Sequence, residues 1–187
     1  MHKKITALSI SILAAAAIYS STASAEVGFE FRVPFQTNNK SSMSNYAATS
    51  SLLKFDLDEG TYVGLLNEGG GYTDNGSTTT TTKAVSTTLQ ALRIAKKTMD
   101  FADKTSLFVG LDLGNVSSNG IAFSNAPVAD IFGEIKLLSS KGKVTSYMSA
   151  ELLYRVANVS PLSATSTVYP LTDIGGVQAV IGAGIGF

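Results

Sequence analysis

The chain has no cysteine and no tryptophan, and its only histidine is His2. Without cysteine no disulfide can form, so a folded exported chain of this kind must be held together by its core or by a membrane. Beyond residue 2 the lack of histidine and cysteine excludes Ser–His and Cys–His nucleophilic catalysis and the usual zinc ligand sets. The composition therefore predicts a protein that is not an enzyme and that uses no metal and no cofactor.

An excess of charge of one sign is also missing, because 14 Lys and Arg residues balance 14 Asp and Glu residues. A balanced chain has no electrostatic footprint for nucleic acid and no polybasic membrane-binding surface. We therefore expect no nucleic-acid partner.

Residues 1–25 have the pattern of a signal peptide. The basic residues His2-Lys3-Lys4 precede an apolar run that ends near Tyr19, and Ala23-Ser24-Ala25 forms a small-x-small cleavage site. The alternative, a membrane anchor helix, is disfavoured because the run is shorter than the ~20 residues that a span needs. We predict one mature domain over residues 26–187, which leaves 187 − 25 = 162 residues.

The mature chain alternates apolar and polar residues with a period of two, which is typical of β-strands. The segment from Val27 to Val33 is a clear example, because its odd positions are apolar and its even positions are small or charged. The other predicted strands are Leu53–Leu57, Thr61–Leu66, Thr88–Lys97, Ser106–Gly114, Ala129–Leu137, Met148–Val156 and Val177–Phe187. The pattern predicts eight strands, and the register of the third is ambiguous.

Long and short connections alternate between these strands. The longer connections span 36–50, 69–83, 115–126 and 157–173, and shorter ones follow the second, fourth and sixth strands. Transmembrane barrels show this asymmetry, with short periplasmic turns and longer external loops. The fold class predicted is an all-β, eight-stranded antiparallel up-and-down transmembrane β-barrel, with both termini on the periplasmic side.

Many positions opposite the apolar faces are charged, and in a transmembrane barrel these positions face the interior. The predicted inner residues are Glu30, Arg32, Lys54, Asp56, Arg93, Asp112, Asp130, Glu134, Lys136, Glu151 and Arg155. An eight-stranded barrel is just wide enough for its own side chains to fill. We therefore interpret these residues as a structural network of ion pairs in the lumen.

The carboxylates also allow two other interpretations, an acid/base pair and a calcium site. Asp130 with Glu134, or Asp112 with Glu151, could in principle act as a general acid/base pair. The motif Asp56-x-Asp58-Glu59 contains calcium-type ligands but lacks the full loop spacing, so it is interpreted as a strand end and turn.

The inner face of the last predicted strand is rich in glycine, at positions 176, 182, 184 and 186. Two explanations are equally consistent with the sequence. The missing side chains leave room for Arg32 and Arg155 to reach across, or the glycines only ease the curvature of the strand.

The end of the chain resembles the C-terminal signature of bacterial outer-membrane proteins. Phe187 is preceded at alternate positions by apolar residues, and the predicted assembly signal is Val177, Ala179, Ile181, Ile185 and Phe187. The resemblance is to the small eight-stranded class, which includes the OmpA transmembrane domain and OmpX-like proteins. It implies a location in the bacterial outer membrane, contact with outer-membrane lipid, and recognition by the barrel-assembly machinery during biogenesis.

Three functions remain open from the sequence. The first is a non-enzymatic outer-membrane barrel whose four external loops serve surface interaction or envelope structure, with an external partner that the sequence does not identify. The second is a narrow pore or small-ligand transport barrel. The third is a soluble exported β-sandwich that binds a ligand, since such a fold also alternates.

Overall fold

A computed structural model describes residues 26–36, 43–58, 60–74, 83–118, 125–140, 144–157 and 175–187. The described residues form a single sheet of eight antiparallel strands that closes into a barrel, each strand pairing with its sequence neighbours and β1 pairing with β8. The strands are β1 (Val27–Gln36), β2 (Met43–Asp56), β3 (Thr61–Asp74), β4 (Lys83–Ala102), β5 (Thr105–Ser118), β6 (Ala126–Ser140), β7 (Thr145–Ala157) and β8 (Gly176–Gly186). The predicted fold class, strand number and strand order are confirmed. The predicted signal peptide lies outside the described residues.

Closure excludes the β-sandwich alternative. A sandwich has two sheets with free edges, whereas here β1 runs in register with β8 from Gly28 opposite Gly186 to Gln36 opposite Gln178. The seam continues past the strand ends, where the backbone N–H groups of Val27 and Phe187 each donate to the other residue's carbonyl oxygen, at 3.2 and 2.9 Å. Such a barrel has no unpaired sheet edge, which is the condition for strands to span hydrocarbon.

Several strands are longer than the sequence predicted. β2 begins at Met43, where a connection was expected to continue to residue 50, and β3 includes Gly69-Gly70-Gly71, which were assigned to the next long connection. Glycine and serine have weak strand propensity, but pairing with neighbouring strands stabilises the segments in spite of this. The corresponding connection between β3 and β4 covers 75–82, so an experiment that removes it must leave Gly69–Gly71 in place.

The barrel has two different rims. At the short-connection rim the chain passes between β2 and β3, β4 and β5, and β6 and β7, and both β1 and β8 end there; the four other connections leave the long-connection rim. Asp58 stabilises the β2–β3 turn, since its Oδ1 accepts hydrogen bonds from the N–H groups of Gly60 at 2.8 Å and Thr61 at 2.5 Å. These bonds, led by the one from Gly60, lower the pKa of the Asp58 carboxyl. Asp58 is thus a turn residue, and Glu59 lies outside the described residues.

Pro34 does not produce the bulge or strand end that its type favours. It pairs with Val180 of β8 in regular register, and β1 continues to Gln36. The pairing of β1 with β2 stops instead at Arg32 opposite Ser50, two residues before the proline. A residue with no N–H is tolerated here because it lies where β1 has no partner on that side.

The outside of the barrel is apolar. In the described part of the chain no helix is long and apolar enough to cross a membrane. Phe29, Phe31, Phe35, Tyr154 and Phe187 are all exposed, with between 47% and 63% of each residue accessible. In a chain without tryptophan, phenylalanine and tyrosine residues of this kind are the ones available for an interfacial aromatic belt. Apart from residues near the short-connection rim such as Lys96 and Asp100, the charged side chains described on the strands lie inside the barrel. This is the reverse of a soluble barrel and the arrangement of a membrane-spanning one.

Candidate functional site: the polar lumen

The lumen contains the charged residues that alternation had placed opposite the apolar face. Ten of the eleven are buried, and Asp56, near the short-connection rim, is half-buried. Their heights along the strands and their hydrogen-bond partners divide them into three groups. These are called the middle, upper and lower clusters below.

The middle cluster is built around Arg93 on β4, which has no exposed surface. Its Nε and Nη2 donate to both carboxylate oxygens of Asp112 at 2.7 Å, and its Nη1 donates to Glu151 Oε2 at 2.6 Å. Its guanidinium carbon lies 3.8 Å from the ring centre of Phe132. Asp112 is the register partner of Arg93 on β5, but Glu151 lies on β7, so this arginine connects distant walls of the barrel. A bidentate guanidinium–carboxylate pair of this kind combines charge with fixed geometry.

Arg32 extends the middle cluster to the seam of the barrel. Its Nη2 lies 2.5 Å from Glu151 Oε2, so it spans from β1 to β7 with β8 between them. Nearby, the Ser149 hydroxyl donates to Glu30 Oε1 at 2.6 Å, again from β7 to β1. Both contacts pass over the inner face of β8.

The glycines of β8 make these contacts possible. A Cβ at Gly182 would lie 2.2 Å from Glu30 Oε1 and 2.5 Å from Ser149 Oγ, and one at Gly184 would lie 2.4 Å from the Tyr147 ring. The sequence left two explanations for these glycines. The geometry at Gly182 and Gly184 supports the first, that the missing side chains leave room for residues of the neighbouring strands. The expectation for Arg155 was wrong, however, because it pairs away from the seam.

A substitution at Gly182 tests whether this glycine provides room for neighbouring side chains or only eases the curvature of β8. Gly182→Ala should lower the free energy of unfolding by about 1–3 kcal/mol, because the new methyl group displaces a buried carboxylate and leaves the Ser149 hydroxyl without its acceptor. The matched control is Gly133→Ala on β6, where nothing lies within 4 Å of the added Cβ; it should be neutral or slightly stabilising. Urea unfolding in phospholipid vesicles measures both, and equal effects would contradict the role assigned to Gly182.

The upper cluster lies nearer the long-connection rim and is centred on Arg155. Its guanidinium contacts Asp130 on β6 at 2.9 to 3.2 Å and Glu68 on β3 at 2.8 and 3.3 Å. Glu68 was missed because the alternation of β3 was ambiguous: Val63 and Leu65 face outward while Leu66 faces inward. Extending the period of two from residue 62 to residue 68 is the only sequence signal that leads to it.

Apolar residues cover this cluster on the side of the long-connection rim. Six buried inner residues near the rim ends of their strands form this layer: Val85, Leu89, Val116, Ala126, Val128 and Ala157. Sequence alternation assigned polar character to the inner face and did not predict it. An apolar layer excludes water, which strengthens the ion pairs beneath it.

The lower cluster combines two lysines with aromatic rings. Lys54 Nζ lies 4.5 Å from the ring centre of Tyr62 and 4.8 Å from that of Tyr147; Lys136 Nζ lies 5.2 and 4.6 Å from the same rings, and 4.7 Å from that of Phe108. Cation–π contacts of this length stabilise an ammonium group away from water. Tyr62 was also missed, and its hydroxyl donates to Glu134 Oε2 at 2.6 Å.

The carboxylates offered as acid/base pairs have other partners. Asp112 and Glu151 both bind Arg93, Asp130 binds Arg155, and Glu134 accepts from Tyr62. A carboxylate held in fixed geometry by a guanidinium is not free to approach a substrate. The described residues contain no group of three or more His, Cys, Asp or Glu side chains suited to a metal ion.

Comparison with known proteins agrees with this architecture. The N-terminal β-barrel domain of Pseudomonas aeruginosa OprF matches with a TM-score of 0.50 and 14% identity, covering 87% of this chain and 97% of that one. The fold is that of a small outer-membrane β-barrel. The outer membrane protein OprG from the same organism matches with a TM-score of 0.48 and 11% identity, over 87% of this chain and 94% of that one. No family model and no curated protein match the sequence. At 14% identity the likeness to OprF concerns the fold alone.

Proposed function

We propose that this protein is a non-enzymatic outer-membrane β-barrel whose lumen is closed and whose long connections serve surface interaction or envelope structure. The observation that carries the proposal is Arg93, which has no exposed surface and is fixed to β5 and β7 by four hydrogen bonds. A barrel that crosses its own lumen with paired charges is a rigid scaffold. Its variable parts are then the connections at its rims.

The same geometry supports placement in the bacterial outer membrane as part of this proposal. The apolar exterior contacts lipid, and the long connections lie on the outside of the cell, so that both termini are periplasmic. Within the proposed assembly signal, Ile181, Ile185 and Phe187 are 53%, 42% and 63% exposed. They are therefore open to lipid or to the barrel-assembly machinery, and the external partner of the connections is left unspecified.

The absence of enzymatic activity is part of the proposal. Each carboxylate once considered for acid/base chemistry is held by an arginine or a tyrosine inside the barrel. Catalysis would need a group that can reach a substrate. The inner ion pairs lie in a filled lumen and bind one another instead.

A narrow pore would need open space in the lumen, and the glycine-rich inner face of β8 does not leave it open. The Glu30 and Ser149 side chains lie over Gly182, and the Tyr147 ring lies over Gly184. The apolar layer then covers the upper cluster near the long-connection rim. These contacts favour a closed lumen over a narrow pore.

Planar-bilayer recordings test the closed lumen. The purified barrel should be electrically silent at moderate salt, because ions must displace paired arginines to pass. The double variant Arg93→Ala with Glu151→Ala removes the two groups that meet in the middle of the lumen and should produce discrete conductance. Stable conductance steps from the unaltered barrel would exclude the proposal in favour of the pore.

A further inference from the structure

The apolar band on the outside of the barrel is uneven in height. On β7 the outward residues Met148, Ala150, Leu152, Tyr154 and Val156 are all exposed and apolar. With strands tilted by about 40°, successive outward residues lie about 5 Å apart along the barrel axis. Five of them cover about 20 Å or more, close to the ~25 Å band of outer-membrane barrels.

On β2, β3 and β4 the same band is much shorter. Among the side chains that the structure describes, each strand has two large apolar outward residues at this height: Leu53 and Phe55, Val63 and Leu65, Leu92 and Ile94. Two residues cover only about 5–10 Å of the barrel axis. None of the large hydrophobic residues found exposed in the described part of the chain lies on β2 or β3. Met99 and Phe101 of β4 are exposed, but they lie at its short-connection end.

Above these residues the next two outward positions on each strand carry neither a charge nor a large apolar side chain. We call this surface the polar face, and it consists of Thr49, Ser51, Asn67, Gly69, Thr88 and Gln90. Register joins them across the strands, since Asn67 is opposite both Ser51 and Gln90, and Gly69 is opposite both Thr49 and Thr88. The polar face is therefore continuous over three strands.

The polar face lies at the depth of apolar residues on the far wall. Asn67, Gln90, Asn115 and Pro127 are successive register partners, and strand tilt moves such a row about 3 Å toward the long-connection rim at each strand. Pro127 is thus about 9 Å above Asn67. Ile131 lies four residues further along β6, toward the short-connection rim, and is again level with Asn67. Ile131 is 68% exposed, so one side of the barrel is polar where the other is apolar.

Hydrocarbon is a poor environment for this face. Asn67 and Gln90 are exposed, and the described residues contain no hydrogen-bond partner for either amide. An amide without a partner in an apolar medium costs several kcal/mol. A protein surface that supplies partners at the same depth removes this cost.

We infer that the polar face is the contact surface of a homodimer in the membrane, formed with a second copy of this chain. The inference rests on the proposed membrane placement. Two copies inserted in the same direction are related by a two-fold axis along the membrane normal, so residues of equal depth meet. Amides and hydroxyls each donate and accept, so this uncharged face is complementary to itself.

The size and shape of the polar face fit this partner. The polar face and the two apolar outward residues below it on each strand together give four outward positions on each of three strands about 4.8 Å apart. They cover about 15 by 20 Å, and side-chain relief roughly doubles that area to about 600 Å². Two such faces bury about 1,200 Å², the lower limit of a specific stable interface. At Gly69 nothing lies within 4 Å of an added Cβ, so the surface is low there and two barrels can approach closely.

Cysteine cross-linking in proteoliposomes tests the dimer against a background free of native thiols. Asn67→Cys should form a disulfide-linked dimer on oxidation in about tenfold excess over Ile131→Cys, because a specific contact raises the effective thiol concentration. Ile131→Cys is the matched control at equal depth on the opposite wall. Equal cross-linking of the two variants, or none from Asn67→Cys, would overturn the dimer.

A second variant tests whether the cross-link comes from a specific contact rather than from random collision in the membrane. Asn67→Leu with Gln90→Leu makes the face apolar and should abolish dimerisation while the barrel keeps its heat-dependent gel mobility; an unchanged dimer would overturn the assignment of the face. A nitroxide on the cysteine at position 131 separates this inference from the membrane placement. Greater accessibility to oxygen than to a water-soluble nickel reagent supports the membrane placement, and the reverse result would refute that placement itself.

Discussion

Replacing Arg93 with alanine should lower the free energy of unfolding by about 3–5 kcal/mol, because it leaves buried carboxylates without their counter-ion. Asp112 loses both of its hydrogen bonds to the guanidinium, and Glu151 keeps only Arg32. The residue has no exposed surface, so water cannot replace the lost donors at low cost. Urea unfolding in phospholipid vesicles, followed by gel mobility because the chain has no tryptophan, gives the measurement.

Two further variants show whether the loss of stability comes from the buried ion pairs. Lys96→Ala, on the same strand but exposed, should change stability by less than about 0.5 kcal/mol. Arg93→Ala with Asp112→Ala should recover part of the loss of stability, because one of the two carboxylates left without a counter-ion is removed. If Arg93→Ala lowered the free energy of unfolding no more than Lys96→Ala does, Arg93 would not be the main ion-pairing residue of the lumen.

A charge placed on the outside of the barrel should be nearly as harmful. Ile131→Arg puts a guanidinium at the middle of the apolar band, where such a substitution costs about 2–4 kcal/mol in a bilayer. Ile131 is 68% exposed and has room for the larger side chain, so steric overlap does not account for the loss.

Leu137→Arg on the same strand is the control for depth. Leu137 is also exposed, but it lies near the short-connection rim, where the cost falls to about 0–1 kcal/mol. The difference between the two variants should come from the folded barrel in lipid alone, because the unfolded chain in urea exposes both positions to water. Equal losses at both positions would argue against a bilayer around β6.

The strands with clear alternation were predictable because one face is apolar and the other charged. β7 is the best example: Glu151 and Arg155 point inward while Leu152, Tyr154 and Val156 point outward. The period of two follows from strand geometry alone, so such a segment needs no tertiary information.

The strands with apolar residues on both faces were the ones predicted poorly. In β2 Leu52 points inward and Leu53 outward, and in β4 Leu89 and Ala91 are buried while Leu92 faces outward. Alternation disappears in such segments, so their register and length depend on the neighbouring strands. The lumen could not be recognised as partly apolar for the same reason.

By itself, the sequence determined the number and order of the strands, the charged character of the lumen and the apolar exterior, because local alternation encodes which side of a strand faces lipid. Only the tertiary structure decided which charges meet. Arg93 binds Glu151 and Arg155 binds Glu68 across 58 and 87 residues of sequence. The closure of β1 on β8, and the stagger of the strands as they close, bring these partners together, and no local pattern in the chain specifies either.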